Sequence, residues 1–314
     1  MLLVGEIHTG LLQNSIALNP PTCERVLEFV LGERVRRFDR PMSHAISPDL
    51  FTGVDCRLAT RTGARVRGVG TVVSHATITG GHVVQGVATV RIEPGVAGRR
   101  LPWSHYLAHP GRIEVIGRAG WDDLASGYVA PQPSPSTLDL GAICARALKE
   151  VQTSPLLDRR APFKAARTRL RWAVLPDAES RDGTSLRLDM QSGYLRTLLV
   201  HGTPEQAAAI ADFCADLALH DWLLTMLLHL MAGSRIGTEP RDAVVAKLRP
   251  AVDHLLHLWM PGARTHESVA VFWASLERRP GLSRQWRACA ERVRDQLALS
   301  TISLLRTRLE GISA

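Results

Sequence analysis

The sequence predicts an α+β protein: a β-rich N-terminal domain over 1–130, a mixed segment over 131–202 and a C-terminal antiparallel helical bundle over 203–314. Three observations predict it. Two β-branched runs, RVRGVGTVVSHATIT and HVVQGVATVRI, flank Gly80-Gly81. A two-glycine loop between such runs marks a hairpin, because a type I′ turn needs positive φ at both central positions. Next, APQPSPS (Ala130–Ser136) places three prolines in seven residues and reads as a linker. From Thr203 onward the apolar period lengthens from that of a strand to that of a helix.

Leu2–His8 makes the first strand, with Glu6 and His8 on one face, read as solvated. Thr22 caps a short helix over Thr22–Leu31, after Pro20-Pro21. A strand at Arg34–Phe38 leads into PMSHAISPDLFTGVDC, a loop-like stretch, and another strand follows the hairpin at Arg112–Gly117. Ser136 with Asp139 starts a helix through about Val151. Leu170, Trp172 and Val174 alternate with Arg169, Arg171 and Ala173, and Leu186, Leu188 and Met190 alternate with Arg187 and Asp189. With GYLRTLLV these make two or three strands, joined at Asp182-Gly183. Thr203, Pro204 and Gln206 form a complete start signal for a helix to Ala232, stopped by Gly233. Three more helices follow: Arg241–Met260 kinked at Pro250, Thr265–Arg279 ended by Pro280, and Ser283–Glu310 ended by Gly311. Four helices with short connections imply the bundle.

The 314 residues, 45% hydrophobic and 22% charged, are those of a core-forming globular chain long enough for two domains. Basic residues outnumber acidic ones 38 to 30, and only Lys149, Lys164 and Lys247 are lysines. Arginines spread along the whole chain are what the codon bias of a GC-rich genome produces. The five cysteines form no C-x-x-C pair, which removes zinc-ribbon and thioredoxin-type chemistry. The opening MLLVGEIHTGLL lacks a basic n-region, and free thiols without a secretory signal fit a cytoplasmic protein. The longest apolar run, Trp222–Ala232, is about half the roughly 20 residues a bilayer demands, so no membrane association is expected. No P-loop, Rossmann, nucleophile-elbow, zincin, deaminase or kinase signature occurs, and no cofactor is expected.

Three constellations remain as candidates. His44, Asp49 and Asp55 in the loop-like stretch, with the H-x-x-x-H pair His105 and His109, would supply acid–base groups if they met in a pocket. Asp216/His220 and Asp253/His257 repeat an i, i+4 spacing that puts both side chains on one helical face, as metal ligands require. Helix-surface ion pairs are the plainer reading of both, because Asp253 and His257 point away from the apolar face of their helix. Arg159, Arg160, Lys164, Arg167, Arg169 and Arg171, interleaved with Phe163 and Trp172, form a basic stretch suited to phosphate or nucleic acid. A solvated strand face accounts for the same residues.

MLLVGEIHTGLLQNS, SPDLFTGVDCRLATRTGARVRGVGT and FCADLALHDWLLTMLL resemble an uncharacterised actinobacterial protein family. Its members are encoded in a shared cluster with a variant P-loop protein and a methyltransferase-like protein. The resemblance implies a cytoplasmic protein acting with co-encoded partners, and it carries over no catalytic residue. The leading expectation is therefore a non-catalytic binding or adaptor component of a bacterial multi-protein system. Apolar residues on several sides of the last helix (Leu297, Ile302, Leu304, Leu305, Leu309) motivate it, because such a helix must be covered. An enzyme using the histidines and acids of the β-rich part, and an anion or nucleic-acid binder, are the alternatives. Homo-oligomerisation is left open.

Overall fold

The computed structural model describes residues 1–131, 136–176, 185–234 and 240–312, and their side chains except those of 301 and 303–312. The Asp182-Gly183 turn and the central part of the proline linker lie outside the described residues. The protein is mixed α+β, 40% helix and 28% strand, with one large sheet and C-terminal helices.

The strands are β1 (Leu2–Leu11), β2 (Arg36–Phe38), β3 (His44–Ile46), β4 (Leu50–Leu58), β5 (Val66–Thr79), β6 (Val83–Pro94), β7 (Arg112–Ile116), β8 (Thr168–Pro176), β9 (Leu186–Met190) and β10 (Leu195–Gly202). The helices are α1 (Pro20–Leu27), α2 (Trp103–Leu107), α3 (Trp121–Tyr128), α4 (Leu140–Gln152), α5 (Ala207–Gly233), α6 (Arg241–His254), α7 (Ala270–Arg278) and α8 (Leu282–Ile312). All ten strands belong to a single sheet, ordered β2-β3-β5-β7-β6-β1-β8-β10-β9, with β4 paired to β5 and a further β5–β6 pairing. The strands of 168–202 join this sheet: β8 pairs antiparallel with β1, from Leu3↔Val174 to Thr9↔Thr168, and parallel with β10. The two ends of the strand order are short and basic, with Arg36 and Arg37 on β2 and Arg187 on β9, which discourages edge-to-edge association there.

β1 is buried at all ten positions because helices cover both faces of the sheet. This explains its near-continuous apolar run, which a one-sided strand would interrupt. Leu3, Ile7 and Leu11 pack with α5 to α8 on one face, while Leu2 and Val4 pack with α3 and α4 on the other. A third cluster joins α1, the end of β5 and the last turns of α4. Each fully buried leucine or isoleucine contributes about 1.5–3 kcal/mol relative to exposure. Gly5 makes room on the α5 face for the Trp172 indole, which would stand 2.4 Å from a Cβ there. The residue sets 1–130 and 131–202 thus share one sheet, and the α5-side cluster draws on both of them and on 203–314.

α5 is apolar nearly all round because it is the central helix of its layer. It is the one helix among the described residues long and apolar enough to cross a membrane, and 78% of its most apolar window lies inside the protein. α8 packs on α5, α6 and α7.

Several local expectations change. Asn19, not Thr22, caps α1, its side chain accepting from the Thr22 amide. Asp139 alone caps α4, accepting from the Ala142 amide. Residues 41–56 are not a loop: β3 and most of β4 lie there, on either side of Pro48. Gly311 does not end α8, which runs through Ile312. Glu6 and His8 are not solvated, because α3 and α4 cover their face of the sheet.

Candidate functional site

The tip of the β5–β6 hairpin builds the most chemically suggestive region. Gly80 and Gly81 both have positive φ, 58° and 67°, as the type I′ turn demands. The Gly80 amide donates to the Ser43 carbonyl at 2.9 Å, and the Leu18 amide donates to the Gly81 carbonyl at 3.0 Å. A Cβ on Gly81 would meet the Leu18 carbonyl oxygen at 2.3 Å, so only glycine allows this approach. The tip therefore pulls together the segments before α1 and before β3. Between them and the stretch after α6 lies a cavity of about 370 Å³, lined by His44 and His257 with Cys23, Arg37, Met42 and Met260.

His44 donates from Nδ1 to the Met42 carbonyl at 2.9 Å and stacks on Phe38 at 4.7 Å. Burial holds its pKa below the ordinary imidazole value. His257 is lowered by the same cause. Burial keeps the Cys23 thiol protonated, with its pKa raised to about 11, so it is no nucleophile at neutral pH. Beside the cavity, His82 Nε2 lies 3.1 Å from His254 Nδ1, the rings edge to face at 78°. Burial, with the neighbouring His254 and His257, pushes His82 down to about 4, and burial also lowers His254. At neutral pH these four imidazoles are uncharged and keep lone pairs for protons or metals.

The other acid–base candidates do not join His44. Asp49 stands 3.6 Å from His75 Nδ1 and 3.9 Å from Arg36. Asp55 sits between Arg67 at 2.6 Å and Arg100 at 2.9 Å. His105 is hydrogen-bonded to Glu114, and His109 Nδ1 donates to the His105 carbonyl at 3.0 Å. His105 and His109 line a separate cavity of about 130 Å³.

The two Asp/His pairs do not form one metal centre. Asp216 and His220 are fully buried rather than exposed on a helix surface. His220 donates from Nδ1 to the Asp216 carbonyl at 2.7 Å and accepts the Met260 amide on Nε2 at 3.1 Å. Both ring nitrogens are thus used. Asp216 accepts the Gly262 amide at 2.8 Å and the Arg264 guanidinium at 3.4 Å. The pair holds the turn after α6 against α5. Asp253 is exposed and pairs with Arg249 at 3.1 Å, as a surface ion pair should. Among the described residues no three His, Cys, Asp or Glu side chains are grouped to hold a metal ion.

In the basic stretch, Arg159, Arg160, Lys164, Arg167 and Arg169 are exposed. Arg171 is buried, its Nε 3.1 Å from Glu6 Oε2. Glu6 also takes the His8 ring nitrogen at 2.9 Å. Burial alone would raise the Glu6 carboxyl, but the His8 hydrogen bond and the Arg171 charge overcome it and leave the group below its ordinary value. Arg171 lies over the Tyr128 ring at 5.6 Å, and the Tyr128 hydroxyl donates to the Gly5 carbonyl. A second buried pair, Arg196 with Asp221 at 2.9 Å, lies between β10 and α5.

The sequence puts Glu6 and His8 on one strand face and Arg171 in the basic stretch, but it does not bring these together, nor does it point to Arg196–Asp221 or His82–His254. Each joins residues far apart in the chain. The one local signal was Glu6, a charge inside an otherwise apolar run. No protein-family model, no curated protein and no solved structure matches the chain.

Proposed function

We propose that this chain is a non-catalytic binding or adaptor component of a bacterial multi-protein system, acting in the cytoplasm with co-encoded proteins. On this reading α5 to α8 serve as an antiparallel helical bundle whose far end carries the partner surface. The observation that carries it is the course of α8. Trp286, Cys289, Ala290 and Val293 are buried, whereas Leu299 and Ile302 further along are 51% and 62% exposed. Apolar side chains emerging from a core on a 31-residue helix suit capture by another protein. His44, Asp49, Asp55 and the His105/His109 pair lie in separate places, which supports binding over an acid–base site built from all five. Light scattering of the chain alone and mixed with its co-encoded proteins tests this. Complex formation lost in Ile302→Asp at unchanged Tm is expected. A monomer that binds none of them overturns it.

The exposed Arg159, Arg160, Lys164, Arg167 and Arg169 favour a second reading, anion or nucleic-acid binding. Retention on immobilised DNA that falls with salt, and falls further on charge removal at these five positions, is its expected signature.

A further inference from the structure

We infer that His82 and His254 form a binding site for one divalent transition-metal ion of the zinc, nickel or copper class. Their facing nitrogens, Nε2 and Nδ1, stand 3.1 Å apart although the residues are 172 positions apart in the chain. With metal–nitrogen bonds of about 2.05 Å, two ligands on one ion are about 2.9 Å apart at a right angle and about 3.3 Å apart at the tetrahedral angle. The observed spacing falls between these values, so an ion fits where a single shared proton now bridges the rings.

Both rings are held before any ion arrives. His82 directly follows the Gly80-Gly81 turn, with its amide bonded to the Thr79 carbonyl and its own carbonyl bonded to the Leu12 amide. It is only 5% exposed. His254 closes α6 and is stacked by Phe163 at 6.2 Å. Fixed rings cost little ordering entropy on binding. Imidazole must be neutral to ligate, and burial keeps both in that form.

His257 comes three residues after His254 and is itself exposed. Among the described residues no third His, Cys, Asp or Glu side chain joins the two rings, so water completes the shell. An incomplete protein ligand set makes an exchangeable site rather than a closed structural one. Imidazole donors select zinc, nickel and copper over magnesium and calcium, which want oxygen. Because His257 also lines the 370 Å³ cavity, the ion would border a space able to admit a further small ligand.

Calorimetric titration of the chelator-stripped full chain with zinc chloride, and separately with nickel chloride, tests this. One ion per chain with a micromolar dissociation constant is expected. H254Q, at the partly exposed end of a helix, should weaken binding at least about tenfold, and H82Q as much. H257Q should weaken it less, and H44Q should leave it unchanged. Added zinc should raise the Tm of the parent and not that of H254Q. If H82Q fails to fold, H254Q alone decides. Binding of equal affinity in the parent and H254Q overturns the inference, as does the absence of binding in the parent. Unchanged binding in the parent and loss in H44Q would move the site elsewhere and overturn it as well.

Discussion

Replacing Arg171 with Met probes what a buried charge costs when its partner is removed. Glu6 and Arg171 are Cα partners across β1 and β8, and their side chains are 2% and 7% exposed. Met fills much of the space of the arginine stem but leaves the carboxylate with His8 as its remaining hydrogen-bonded side-chain partner. Breaking a buried pair from one side costs about 3–5 kcal/mol. At about 2 °C per kcal/mol for a chain of this size, Tm should fall by roughly 6–10 °C. Removing both charges in Glu6→Gln/Arg171→Met should recover at least about half of the loss, since no unpaired ion is then buried. The pH dependence has a definite sign. In the parent the Glu6 carboxyl is depressed, so its contribution is complete above the unfolded carboxyl value and fades as pH falls through the folded one. In the variant burial is opposed by His8 alone, the carboxyl rises, and acid relieves the strain of a buried charge. The gap between parent and variant should narrow from neutral pH to about pH 4.5. Urea unfolding followed by tryptophan fluorescence reads it, because Trp172 is buried on the same strand. A loss below about 1 kcal/mol at neutral pH, or a gap that does not change with pH, would refute the reasoning.

Two further outcomes follow from buried groups. Asp216→Ala removes the acceptor that holds Gly262 and Arg264, so stability should drop by about 2–4 kcal/mol and limited proteolysis should begin within 259–265. Cleavage elsewhere first would count against that role. The five cysteines are all free, and burial raises every one of their thiol pKa values, Cys23 and Cys56 to about 11. An aromatic disulfide reagent at mildly alkaline pH should therefore react slowly with the native chain and rapidly with all five thiols in denaturant; one fast native thiol would contradict this.

The sheet and long helices were legible where the signal is local. The β5–β6 hairpin follows from Gly80-Gly81, and the start of the long helical run from Thr203, Pro204 and Gln206, which form the expected capping box. β3 and β4 were hidden because Pro41 and Pro48 flank them, and Thr52, Gly53 and Asp55 blur the alternation of β4. β1 was read too generously as half-solvated. Burial on both faces erases the alternation that reveals a face, and Glu6 then looked like a surface residue. The candidate sites fared by the same logic. The i, i+4 spacing of Asp216 and His220 is local, but their full burial depends on a turn forty residues later. The His82–His254 pair depends on how α6 meets a distant hairpin, which no window of sequence contains.

The position of β1 has a consequence for synthesis on the ribosome. β1 lies inside the finished sheet, and its partner on one side, β8, begins only at Thr168. At about 5–20 residues per second, roughly 8–30 s separate the emergence of the two. During that interval an apolar ten-residue segment, destined for burial on both faces, has one edge unsatisfied. Escort by a chaperone, or pairing with β6 alone, would shield that segment from aggregation until β8 arrives.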